Sequence, residues 1–243
     1  MHISMVFFIL YNNVMFTILA LFLSAAVISF LGTRLIILNR LNHDIVSFCF
    51  GIVFIAFAFD TSLIALGMIL HHYYVYFLAA SNIFYAIANG YLFVSVISFY
   101  INLDVNAISF IVLANVLLFL IEDILLFIYP VVPEVYRSLH IISYTNNFFT
   151  PPFLFHVIAS AVIYLTLIIL YSMVTYKVRA NYLAKRKALF VALGLVSGSL
   201  TVITSEAFPH NVIISIIGSF GYLIGFSVAL IGLTPSLKSD NTK

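Results

Sequence analysis

Read for apolar and polar positions, the chain alternates long hydrophobic runs with short polar breaks. The runs are 5–31, 44–70, 76–101, 107–129, 153–176, 188–205 and 212–233. Each reaches the roughly 17–25 residues that a hydrocarbon core about 30 Å thick requires of a helix. A membrane barrel would instead show segments of about ten residues with strict alternation. The pattern therefore predicts an all-α, polytopic protein: seven transmembrane helices in one domain, residues 1–243. The first run has no Lys or Arg before it and exceeds the roughly 7–15 residues of a signal-peptide core, so it reads as a retained span.

The positions of the charges orient these spans. The break at 177–187 reads KVRANYLAKRK and carries Lys177, Arg179, Lys185, Arg186 and Lys187, half of the ten Lys and Arg residues. Short basic segments beside a span stay in the cytoplasm. With this one inside, the breaks at 32–43 and 102–106 and the tail 234–243 fall on the same side, adding Arg34, Arg40, Lys238 and Lys243. Only Arg137, in the 130–152 break, falls outside. The expected topology has the N-terminus outside and the C-terminus in the cytoplasm, as a multi-pass protein of the cell membrane.

Composition agrees with this assignment. Hydrophobic residues make up 64% and charged residues 7%, with a mean hydropathy of +1.21. A water-soluble domain carries about 25% charged residues, so the lipid bilayer is the expected solvent. A single cysteine, Cys49, excludes an intramolecular disulfide and paired-thiol redox chemistry.

Candidate chemistry lies among the rare ionisable residues inside the runs, where such groups mark functional hypotheses. Asp60 falls about 24 Å and Glu122 about 22 Å from the inner ends of their spans, so both sit in the outer part of the membrane. Asp123, His156, Glu206 and His210 fall on that side too, as do His71, His72 and His140. Together they suggest an outward-opening acidic and histidine-lined pocket for a cation, a metal, a proton or a small polar ligand. The plainer alternative is that they are hydrated near the interface or bonded to Asn115 and tyrosine hydroxyls. No HxxH, HExxH or ExxH spacing defines a metal site. No cofactor is expected, with b-type haem between His156 and His71 or His72 as a lesser alternative. The last run has no lysine for a retinal Schiff base, and neither a nucleotide-binding loop nor a Ser–His pair is evident. The chain is therefore expected not to be an enzyme.

Other polar and small residues point to helix contacts. Gly194 and Gly198 form a GxxxG step, and Gly218, Gly221 and Gly225 line the last run, so these two helices are expected to pack closely. Asn82 and Asn89 share one helical face, as do Asn115 and Glu122. Buried amides of this kind usually bridge helices. The basic stretch 177–187 orients the protein first. It is also the expected contact for a cytoplasmic protein partner, with no specific nucleic-acid binding evident.

From Tyr164 onward, a helix ending YKVRANYLAKRKAL, a Leu- and Gly-rich helix, a short turn with Pro209 and a Gly-rich last helix follow in order. This third of the chain resembles the seven-helix membrane input regions of sensor histidine kinases. The resemblance implies a sensor or scaffold module that signals through a partner. A transport or translocation subunit, for an ion, protons or a DNA-import-type apparatus, is the alternative expectation. A haem-holding redox subunit is the third.

Overall fold

The computed structural model describes residues 18–37, 45–130, 134–136, 141–143, 150–178, 182–207 and 221–233. Among the described residues seven helices follow in chain order: α1 (Ile18–Ile37), α2 (Ile45–Ile69), α3 (Tyr74–Ile97), α4 (Val105–Ile128), α5 (Pro151–Lys177), α6 (Tyr182–Ala207) and α7 (Gly221–Leu233). A 3-10 turn, His71–Tyr73, joins α2 to α3. Among the described residues five helices, α1 to α5, are long and apolar enough to cross a membrane, against the seven expected. α6 has 26 residues, the first turns of which hold Lys185, Arg186 and Lys187, and α7 has 13.

Local chemistry sets several helix ends. The Asp104 side chain accepts the Ala107 N–H at 2.7 Å and so caps α4 at its N-terminus. Pro151 and Pro152 open α5, where a missing N–H costs nothing. Two breaks expected to be loops are largely helical. α1 runs on to Ile37, because Leu35 is buried in the core, which leaves Arg34 exposed on the last turns. The basic stretch is divided between two helices: Lys177 closes α5, and Lys185, Arg186 and Lys187 lie inside α6. The helix forms there because Ala188 and Val191 bury their side chains and Arg186 donates to the Ile231 carbonyl of α7 at 2.7 Å. Arg40, Arg137, Arg179, Lys238 and Lys243 lie outside the described residues. The 130–152 break contains a small antiparallel hairpin, β1 (Glu134–Tyr136) paired with β2 (Ile141–Ser143), with Val135 opposite Ile142. Its β-branched and aromatic residues favour the extended chain.

Neighbouring helices pack mainly in sequence order, α2 on α3, α3 on α4, α5 on α6 and α6 on α7, and α3 also reaches α5. α3 is thus central to the first five helices. One core joins α1 to α7 through residues such as Phe50, Phe54, Phe57, Leu92, Leu167 and Tyr171. Large apolar side chains cover the outside of α4 and α5, among them Phe110, Leu113, Leu117, Leu165 and Ile169, as a lipid-facing surface requires.

At two crossings glycine packs against glycine. A Cβ on Gly225 would lie 2.7 Å from the Gly194 carbonyl oxygen and 3.0 Å from the Gly198 Cα, so α6 and α7 touch backbone to backbone there. A Cβ on Gly32 would lie 2.8 Å from the Gly51 carbonyl oxygen, and this α1–α2 crossing has no GxxxG signature to announce it. Gly221 opens α7, and Gly218 lies outside the described residues.

Candidate functional site

Alternating helix direction gathers the rare polar residues at one end of the bundle. α2 and α4 end where α3 and α5 begin. Asp60 on α2, Asn82 on α3, Glu122 on α4 and His156 on α5 therefore lie about 8–14 Å from the helix ends nearest the β hairpin. The basic ends of α5 and α6 lie at the opposite end.

Asn82 joins two of the carboxyl groups. Its Nδ2 donates to Glu122 Oε1 at 3.0 Å and to Asp123 Oδ1 at 2.9 Å. Glu122 and Asp123 point about 100° apart on an ideal helix, yet a single amide between them reaches both. Glu122 is also held from α5, with His156 Nδ1 2.9 Å from Oε2 and 3.2 Å from Oε1. The residue before Asn82 makes the link to α2, where the Ser81 hydroxyl donates to Asp60 Oδ1. Asp60 Oδ2 is buried with no hydrogen-bond partner. Asp60 lies within electrostatic range of both Glu122 and His156.

Aromatic rings close the cluster from below. Tyr85 stacks near His156 with ring centroids 5.2 Å apart and meets Phe119 edge-on at 5.1 Å. Its hydroxyl donates to Ser160 Oγ at 3.0 Å. Asp60, Glu122 and Asp123 are only 3%, 4% and 6% exposed, whereas the His156 side chain is 29% exposed. The acids are thus packed between helices and do not line an open mouth, and His156 forms the accessible edge of the group.

The sequence candidates divide accordingly. Asp60, Glu122, Asp123 and His156 come together. Glu206 lies at the end of α6, and His210 lies outside the described residues. His72 is exposed on the 3-10 turn. Asn115 shares the Glu122 face of α4 but donates back to Ile111 O within its own helix. Sequence reasoning passed over Ser81, Tyr85 and Ser160. Ser81 adjoins Asn82 and Tyr85 follows one turn later, so the face of α3 was the available signal.

Three carboxyl groups thus share the interior with one imidazole, and the described interior holds no lysine or arginine against them. Burying several carboxylates without a balancing cation is costly, so neutral, protonated forms of these acids are favoured there. Among the described residues no group of three or more His, Cys, Asp and Glu side chains is arranged to hold a metal ion. No family model matches the chain, and neither a curated protein nor a solved structure proves similar to it.

Proposed function

We propose that the chain is a non-enzymatic, multi-pass subunit of a cell-membrane complex whose buried carboxyl–imidazole cluster senses protons or a small monovalent cation from the outer side. Seven spans, with the N-terminus outside and the C-terminus in the cytoplasm, put the cluster in the outer part of the bilayer and the 177–187 stretch at the cytoplasmic face. The observation that carries this reading is the Asn82 amide between Glu122 and Asp123, with His156 on Glu122 and Asp60 close by. Uptake of one positive charge relieves repulsion among the three acids, shifts their hydrogen bonds and so changes how α2, α3, α4 and α5 pack. The basic ends of α5 and α6 would pass that change to a cytoplasmic protein partner. A sensor role is also what the resemblance expected of the last third would imply.

Infrared difference spectroscopy of the protein in vesicles tests the reading, with pH or sodium as the variable. A carboxyl band is expected to change with proton or cation uptake. Glu122→Gln and Asp60→Asn should each alter it. Identical difference spectra for wild type and the double variant would end the reading. A transport role is the second reading, and the polar pairs between α3 and α5 support it.

A further inference from the structure

Polar contacts between α3 and α5 continue past the acid cluster toward the basic end. The two helices run parallel, and their facing groups keep an almost constant offset. Tyr85 pairs with Ser160, 75 residues away, and Ser95 pairs with Tyr171, 76 away. Further along, the Lys177 ammonium stands 4.5 Å from the centre of the Tyr100 ring. The same offset sets Asn89 level with Tyr164, between the two hydroxyl pairs. From His156 to Lys177 the seam rises about 32 Å, close to the thickness of a hydrocarbon core.

Two features separate this seam from ordinary helix packing. Apart from Ser81, which crosses to Asp60, several hydroxyls off the seam return to their own helix: Thr61 donates to Phe57 O, Ser98 to Val94 O, Thr166 to Val162 O and Thr175 to Tyr171 O. The seam hydroxyls of Tyr85 and Tyr171 instead cross from one helix to the other. Asn89 is the second feature. It is fully buried, and neither its Oδ1 nor its Nδ2 makes a well-formed hydrogen bond, the Tyr85 hydroxyl being near enough for a weak one only. A buried amide carries two donors and an acceptor that need partners. Water is the smallest group that satisfies both ends of it.

We propose that the α3–α5 seam is a proton path through the membrane, with water bound at Asn89 as its central relay. This rests on the acid cluster as the site of proton uptake. A proton from the Glu122–His156 pair reaches the Tyr85–Ser160 hydroxyls, then water at Asn89, then Tyr171 and Ser95, and leaves at the Lys177 end. At each oxygen one O–H bond forms as another breaks, so no group is oxidised or reduced and each carrier returns to its starting state. Intervals of about 10 Å lie on either side of Tyr171, where Leu92, Leu167 and Val174 are fully buried, so the path conducts only when water enters these packed stretches.

The test uses the full-length protein in liposomes that trap a pH-sensitive dye, with proton entry driven by a potassium diffusion potential. Wild type should acidify the lumen faster than protein-free liposomes. Tyr171→Phe keeps the ring and removes one relay oxygen, and should slow entry about tenfold, equivalent to roughly 1.4 kcal/mol on the barrier. Asn89→Leu should do the same, and Ser98→Ala, off the seam, should leave the rate unchanged. Entry no faster than through protein-free liposomes would overturn the path, as would a Tyr171→Phe rate equal to wild type. If the infrared carboxyl change survives while flux is absent, the path is wrong and uptake at the cluster stands. Loss of both signals removes both.

Discussion

At the scale of single residues, Asn82 carries the most. Its one NH2 group serves two carboxyl groups on α4, so its removal strips a hydrogen bond from each while both remain buried. Asn82→Leu is expected to destabilise the bundle by about 1–3 kcal/mol, the usual cost of stranding buried polar groups. Thermal unfolding in detergent measures this, and a change within error of wild type would mean that the acids find other partners. Glu122 and His156 are in direct contact, so Glu122→Gln and His156→Phe should be non-additive by about 0.5–3 kcal/mol in a double-mutant cycle. Asp60, held separately by Ser81, should couple to Glu122 more weakly. The acids and His156 could be picked out of the sequence because ionisable residues are so rare within these runs. Ser81, Tyr85 and Ser160 could not, since serine and tyrosine are common in membrane helices and only a partner on another helix gives them a role. Asn115 misleads for the same reason: its amide looks like a bridge, but the carbonyl one turn back is nearer to hand.

At the scale of helices, the two glycine crossings set how closely neighbours approach. Gly225 faces Gly194 and Gly198 with no room for a Cβ, so Gly225→Leu should push α6 and α7 apart and cost about 1–3 kcal/mol, the typical penalty for overpacking. Gly51→Leu should act likewise on α1 and α2, where a Cβ at position 51 would lie 2.5 Å from Ile36 Cγ1. A fall in the melting temperature of each purified variant is the readout, and unchanged melting would place these faces against lipid. Hydropathy located the runs that became α2 to α5 because burial in lipid and burial in protein select the same residues. It misplaced the helix ends at the basic breaks, since a helix such as α6 continues through charged turns as long as Ala188 and Val191 still bury one side of it. The hairpin between α4 and α5 lay in a stretch with no apolar run to mark it.

At the scale of the whole molecule, the number of spans is testable: α1 to α5 are long and apolar enough to cross a membrane, and seven spans require α6 and α7 to cross as well. Charge placement requires an odd count ending in the cytoplasm, which seven spans satisfy by keeping 177–187 and 234–243 on one side. Five spans, with α6 and α7 left on the cytoplasmic side, would satisfy the same rule, so tags at the two chain ends cannot separate them. Position 210 can. Seven spans put His210 outside the cell, whereas five leave it in the cytoplasm. Cys49 is the only cysteine in the chain, so a Cys49→Ala background permits single reporters. His210→Cys should react with a membrane-impermeant maleimide in intact cells, as Arg137→Cys should, while Tyr182→Cys should react only after lysis. Protection of position 210 until lysis, with 137 labelled in intact cells, would establish five spans and place α6 and α7 against the inner leaflet. Replacing Lys185, Arg186 and Lys187 with glutamine in the same background weakens the orienting bias, and a fraction of molecules should then expose position 182 and hide position 137. If orientation stays uniform, the remaining inner charges, Arg34, Arg40, Lys177, Arg179, Lys238 and Lys243, are sufficient to set it.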